Sequence, residues 1–138
     1  MTPTARVLYT AKAHTTGGRE GGASRTDDGH LDVRISPPGS GTGTNPEQLF
    51  AAGWSTCFLS AIKICAAKMK VRLPDGFAID AEVDLVSDHG EFSLQARLNA
   101  HLPGIAPDVG QALLHAAHEI CPYSKATRGN IEVSLGLV

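Results

Sequence analysis

Hydrophobic and polar positions alternate near the start of the chain. Val7, Tyr9, Ala11 and Ala13 fall on one face over residues 5–14, the period of two expected of a half-buried strand. Leu31, Val33 and Ile35 repeat the pattern over His30–Ser36. Between them, Thr16–Ala23 holds four glycines around Arg19 and Glu20. Such a stretch predicts a turn or irregular edge strand, so Arg19 lies on an element able to reach across the fold. Asp27-Asp28-Gly29 is a tight-turn signal. Together these segments predict a small antiparallel sheet, followed by a Pro- and Gly-rich loop over residues 37–43.

The rhythm then changes. Thr44–Lys70 predicts one long helix. Thr44 or Asn45 is a ready cap, Pro46 suits the first helical position, and Glu47 places negative charge at the positive end of the helix dipole. From Leu49 to Ala67 the only charged residue is Lys63. Apolar residues lie on every side: Leu49, Gly53, Cys57, Ala61 and Ile64 in one row, Phe50, Trp54, Phe58 and Ile62 in another. A helix apolar all round is expected to be buried.

Alternation returns after Pro74-Asp75-Gly76. Phe77, Ile79, Ala81, Val83 and Leu85 point inward, and Asp80, Glu82 and Asp84 outward. Beyond Asp88-His89-Gly90, Phe92, Leu94, Ala96, Leu98 and Ala100 form a second row, which completes a hairpin with one wet face. Pro107–Ile120 carries a helical stripe (Val109, Leu113, Ala116, Ala117, Ile120) and ends at Pro122. Asn130–Val138 alternates as a closing strand. The order of strands, helix, two strands, helix and strand predicts an α+β domain. One sheet and one shorter helix leave part of the long helix uncovered, so a second copy of the chain is expected near it.

Length and charge narrow the function. The 138 residues favour a single domain, 1–138, large enough for a real core. With 42% hydrophobic and 19% charged residues and a net charge of −2, the chain has no electrostatic footprint for nucleic acid or anionic membrane. Met1–Ala13 holds no unbroken apolar run of the kind a signal peptide needs. The long helix exceeds the roughly 20 residues that span a bilayer, but Ser55, Thr56, Ser60 and Lys63 make it a poor membrane span. Three cysteines, an odd count, argue against a secreted disulfide scaffold and for the cytoplasm.

Those cysteines are the candidates for chemistry. Cys65 lies about 12 Å along the helix from Cys57, too far to bridge within it, and reads as structural. Cys57 sits mid-helix. Cys121 stands at a helix end, in Cys-Pro-Tyr-Ser. A reactive thiol needs its thiolate. Cys57 is about 16 Å past Pro46, beyond reach of the helix dipole, and burial raises a thiol pKa. A cation must come from elsewhere, with Arg19, Arg128 and Lys63 as candidates. Glu47 has a sufficient structural role in the first turn, and it can also anchor a guanidinium in a bidentate pair. His118 and Cys121 have i, i+3 spacing, but no second ligand pair accompanies them, so no metal site is expected.

Two long motifs carry a family resemblance. Gly43-Thr44-Asn45-Pro46-Glu47-Gln48-Leu49-Phe50-Ala51-Ala52-Gly53 with Cys57-Phe58, and Cys121-Pro122-Tyr123-Ser124 with Ala126-Thr127-Arg128-Gly129-Asn130, resemble the signature of the organic hydroperoxide resistance (Ohr) proteins of the OsmC/Ohr family. Leu8-Tyr9-Thr10-Ala11 and Gly17-Gly18-Arg19 match the family's N-terminal part. The chain departs from many members in having Leu59 in place of His and Trp54 in place of Tyr. The resemblance implies an OsmC-like fold, with antiparallel sheets around a long central buried helix plus a second helix, in an intertwined homodimer. It implies a thiol peroxidase acting on organic hydroperoxides and recycled by a dithiol such as lipoamide, with no metal, flavin or haem. By matching positions, Cys57 would be peroxidatic and Cys121 resolving. Arg19 would stabilise the thiolate and polarise the peroxide, and Glu47 would hold Arg19.

Overall fold

The computed structural model describes residues 4–138. Residues 1–3, part of the segment read for a leader, lie outside them. The chain forms two compact units, one running to Pro46 and one spanning Glu47–Val138.

The first unit holds an antiparallel sheet of β1 (Ala13–Thr16), β2 (Ala23–Thr26) and β3 (Asp32–Arg34), in that order. The glycine-rich turn, with Arg19, joins β1 to β2. Residues 5–12 correct the expectation of a half-buried strand. They form no regular element, and Val7, Leu8 and Tyr9 are exposed. The reason is the length of the partner. β2 pairs with β1 only from Ala13↔Thr26 inward, and the chain then turns away at Asp27–Gly29. The last tie on that side is the Asp27 amide donating to the Lys12 carbonyl at 3.2 Å.

The second unit opens with the long helix α1 (Pro46–Met69). Pro46 and Glu47 occupy its first turn as expected. Lys70, in the left-handed conformation at φ 57°, ends it, and the Val71 amide closes on the Ala66 carbonyl at 2.8 Å. β4 (Ala78–Asp88) and β5 (Glu91–His101) form the antiparallel hairpin. His89 and Gly90 both have positive φ, the geometry of a tight two-residue hairpin turn. Next come α2 (Pro107–Ile120), α3 (Pro122–Thr127) and β6 (Glu132–Leu137). β6 pairs with β5 in parallel, so this sheet is mixed rather than wholly antiparallel. A parallel neighbour requires a long crossover, and residues 102–131, with α2 and α3, supply it.

The core gathers Trp54, Phe58, Ile62, Leu98, Leu113, Leu114 and Cys121, all fully buried. α1 buries one stripe rather than its whole circumference. Trp54, Phe58, Ala61, Ile62, Cys65 and Ala66 are inside, whereas Ala52, Thr56, Ser60, Lys63, Ile64 and Ala67 are exposed. Within this unit one mixed sheet and α2 can cover only one side of a helix. Leu85 and Phe92 are also exposed, at 47% and 72%; they lie toward the turn end of the hairpin, past the core. On the polar side of the sheet, Arg97 forks onto both Asp84 oxygens at 2.8 Å and onto Glu82 at 3.0 Å, while Gln95 donates to Asp84 at 2.7 Å. These cross-strand ties fix the register.

Candidate active site

Cys57 and Cys121 are brought together by two different local rules. Cys57 stands at the start of the fourth turn of α1, with Gly53 and Trp54 one turn earlier and Phe50 two turns earlier. Cys121 stands between two helices. It closes α2 through its amide to the Ala117 carbonyl at 2.9 Å, and it opens α3 by accepting from the Lys125 amide at 2.9 Å. Pro122 favours this corner, because helical geometry is sterically disfavoured for a residue before proline. Cys121 accordingly adopts φ −62°, ψ 123°.

The result is a pair of free thiols with sulfurs 3.5 Å apart. Cys121 is fully buried and Cys57 half-buried. An approach of about 1.5 Å would bring them to the ~2.05 Å of a disulfide. Burial pushes the Cys57 thiol up; the backbone N–H of Tyr123, aimed at its sulfur, opposes this without cancelling it, and the Cys121 thiol adds to the rise. That N–H belongs to the first turn of α3, an element the sequence reading missed. Pro122 marks the end of α2, and it equally suits the first position of a new helix.

Around the thiols the packing is tight. Gly53 lets the Tyr123 ring lie against α1: a Cβ there would meet the phenol oxygen at 2.8 Å. Phe50 makes edge-on contacts with Trp54 (centroids 5.6 Å) and Tyr123 (6.1 Å). The buried Trp54 indole donates to the buried Ser124 hydroxyl at 3.2 Å. An apolar pocket of about 470 Å³ opens beside this corner, lined by Phe50, Leu94, Pro122, Tyr123, Ala126 and Ile131 among others.

The other candidates are distributed as follows. Arg19 stands in the β1–β2 turn of the first unit, and Glu47 in the first turn of α1. Arg128 donates to the His118 carbonyl near the end of α2, which commits it there. Lys63 is exposed on α1. Cys65 is 5% exposed, its thiol raised by burial and eased by Lys68. The His118 ring lies 6.5 Å from that of Phe58, and its Nδ1 is buried without a hydrogen-bond partner. Among the described residues no three His, Cys, Asp or Glu side chains gather as a metal site would require.

The family model for OsmC-like proteins matches residues 39–136, and the chain belongs to that family. More particularly, it is 47% identical over 137 residues to an organic hydroperoxide resistance protein of Xanthomonas axonopodis pv. citri, covering 96% of each chain. It is 42% identical to the organic hydroperoxide resistance protein OhrB of Bacillus subtilis, over 95% of this chain and 98% of that one. The crystal structure of Bacillus subtilis OhrB superposes with a TM-score of 0.90 at 41% identity, over 96% of this chain and all of that one. An organic hydroperoxide resistance protein from Legionella pneumophila superposes with a TM-score of 0.89 at 42% identity, over 96% and 98% of the two chains.

Proposed function

We propose that this protein is a thiol peroxidase that reduces organic hydroperoxides to alcohols. The observation that carries the proposal is the 3.5 Å contact between a half-exposed Cys57 and a buried Cys121. The Cys57 thiolate attacks the distal peroxide oxygen; the O–O bond breaks, and the alkoxide takes a proton and leaves as the alcohol. Cys57 becomes a sulfenic acid. The Cys121 sulfur then attacks the Cys57 sulfur, the S–O bond breaks, and hydroxide departs as water with the Cys121 proton. A dithiol such as lipoamide reduces the disulfide by exchange and is itself oxidised.

Burial raises the Cys57 thiol, against the formation of its thiolate, so the mechanism needs a cation. In this reading Arg19 supplies it, stabilising both the thiolate and the charge growing on the leaving oxygen, and Glu47 orients Arg19. The apolar pocket beside Tyr123 favours alkyl or fatty-acyl hydroperoxides over hydrogen peroxide. The two units work as one domain, and the functional form is a cytoplasmic homodimer. The exposed apolar residues Ile64, Leu85 and Phe92 support that assembly.

The test mixes reduced protein with one equivalent of cumene hydroperoxide, follows thiol loss, then adds dihydrolipoamide. Rapid loss of two thiols per chain, absent in Cys57→Ser and reversed by the dithiol, is the expected result. Thiols that survive the peroxide would leave a non-catalytic binding protein on the same fold.

A further inference from the structure

The corner that carries Cys121 is held to α1 at more than the sulfurs. Trp54 lies three residues before Cys57 on α1, and Ser124 lies three residues after Cys121 at the start of α3. The two pairs run antiparallel, so one turn away from the sulfur contact a second link joins the same two segments. That link is the Trp54 indole N–H donating to the Ser124 hydroxyl at 3.2 Å, with both side chains fully buried. A buried hydrogen bond of this kind is costly to break, because each partner is left unsatisfied where water cannot reach it. Nothing in the core demands it. A phenylalanine and an alanine would fill much of the same space with no polar atom to satisfy.

We propose that Trp54 and Ser124 are positioning residues, and that their hydrogen bond holds the Cys121–Ser124 corner on α1 with Cys121 within bonding reach of Cys57. The proposal builds on the two-cysteine reading, and it assigns the pair to the second chemical step rather than the first. Attack on the peroxide draws on the Cys57 sulfur, which its own helix fixes, with the Tyr123 amide beside it; it needs nothing from the Cys121 sulfur. Resolution requires the Cys121 sulfur to close the remaining distance, form the S–S bond and displace hydroxide from the sulfenic acid, which leaves as water. Each moment the corner spends swung away leaves the sulfenic acid open to a second peroxide, which takes it to sulfinic acid. The hydrogen bond therefore sets the partition between a recyclable disulfide and irreversible over-oxidation.

The test uses the full-length protein with Trp54→Phe, Ser124→Ala and the double variant. Ser124→Thr keeps the hydroxyl and serves as the conservative control. Dimedone trapping measures sulfenic acid formation, and quenched mass spectrometry measures disulfide and sulfinic acid. Each single variant is expected to slow disulfide formation about three- to tenfold, the range one hydrogen bond carries, and to slow sulfenic acid formation by less, through the Tyr123 amide alone. The sulfinic fraction should rise accordingly, the double variant should be no slower than the slower single one, and Ser124→Thr should recover most of the rate. An unchanged disulfide step, or equal slowing of both steps, overturns the assignment. A parallel arm needs no peroxide. Titration against glutathione buffers gives the effective concentration of Cys121 toward Cys57, which should fall by the same factor in the variants. If the wild type ignores peroxide, the peroxidase reading fails while this titration still decides the positioning role. An unaltered effective concentration overturns that role.

Discussion

Replacing Gly53 by alanine sets two effects of similar size against each other. Glycine inside a helix is about 1 kcal/mol less favourable than alanine, so the substitution alone should stabilise α1 by that amount. The new Cβ, however, would stand 2.8 Å from the Tyr123 phenol oxygen and 3.2 and 3.3 Å from two ring carbons. Ordinary contact begins near 3.5 Å, so the ring must retreat by about 0.7 Å. Tyr123 is 40% exposed and can swing, but it then gives up its edge-on contact with Phe50, worth about 0.5–1.5 kcal/mol. Gly53→Ala alone should therefore leave stability within about 0.5 kcal/mol of wild type. In a Tyr123→Ala background the obstruction is gone and the full gain of about 1 kcal/mol should return. Urea denaturation of all four reduced proteins, at one fixed concentration because association would shift the midpoints, measures this cycle. A coupling of about 0.5–1.5 kcal/mol is expected. A gain of about 1 kcal/mol in both backgrounds would show that the ring does not rest on Gly53.

Three further outcomes follow from the same geometry. Oxidation should close a loop between positions 64 residues apart, and by the chain-entropy model the oxidised protein should resist urea by about 4 kcal/mol more than the reduced one; equal midpoints would contradict an unstrained Cys57–Cys121 bond. Arg97 lowers the Asp84 carboxyl from its ordinary 3.8 to about 2, a stabilisation present above pH 4 and lost as pH falls toward 2; the denaturation midpoint of Arg97→Gln should trail wild type at pH 7 and converge with it in that acid window. Burial, reinforced by Arg128, lowers the His118 pKa, so its contribution to stability is present above about pH 6.5 and declines as pH drops below that; its ring proton should titrate by NMR at lower pH in the folded protein than in urea.

Much of this architecture is legible in the chain before any coordinates. α1 and α2 announce themselves by proline and acidic starts and by apolar spacing. The hairpin is written in strict alternation around Asp88-His89-Gly90. What alternation cannot convey is what lies opposite. Residues 5–12 alternate as a strand does, yet β2 is too short to pair with them. Leu85 and Phe92 keep the inward rhythm beyond the point where the core ends. Strand direction is equally silent: β6 reads the same whether it joins β5 parallel or antiparallel, and only the intervening crossover decides. Cys57 and Cys121 stand out as candidates by their settings, but their meeting depends on a corner that Pro122 creates by ending one helix and starting the next. The Tyr123 amide and the Trp54–Ser124 bond are legible only once α3 is seen.

The parallel seat of β6 also carries a consequence for how the molecule is made. β4 and β5 meet across two residues and can zip together within microseconds. β6 can take its place only after the whole crossover has been synthesised and has swung over the sheet, a long-range closure that is intrinsically slow. Cys57 leaves the ribosome 64 residues ahead of Cys121. At roughly 5–20 residues per second, that leaves it without its partner for about 3–13 s. During that interval an oxidised Cys57 has no neighbour to capture its sulfenic acid and can go on to a state that thiols do not reverse. In this reading a nascent chain whose Cys57 is oxidised lacks the protection that Cys121 would give the finished form.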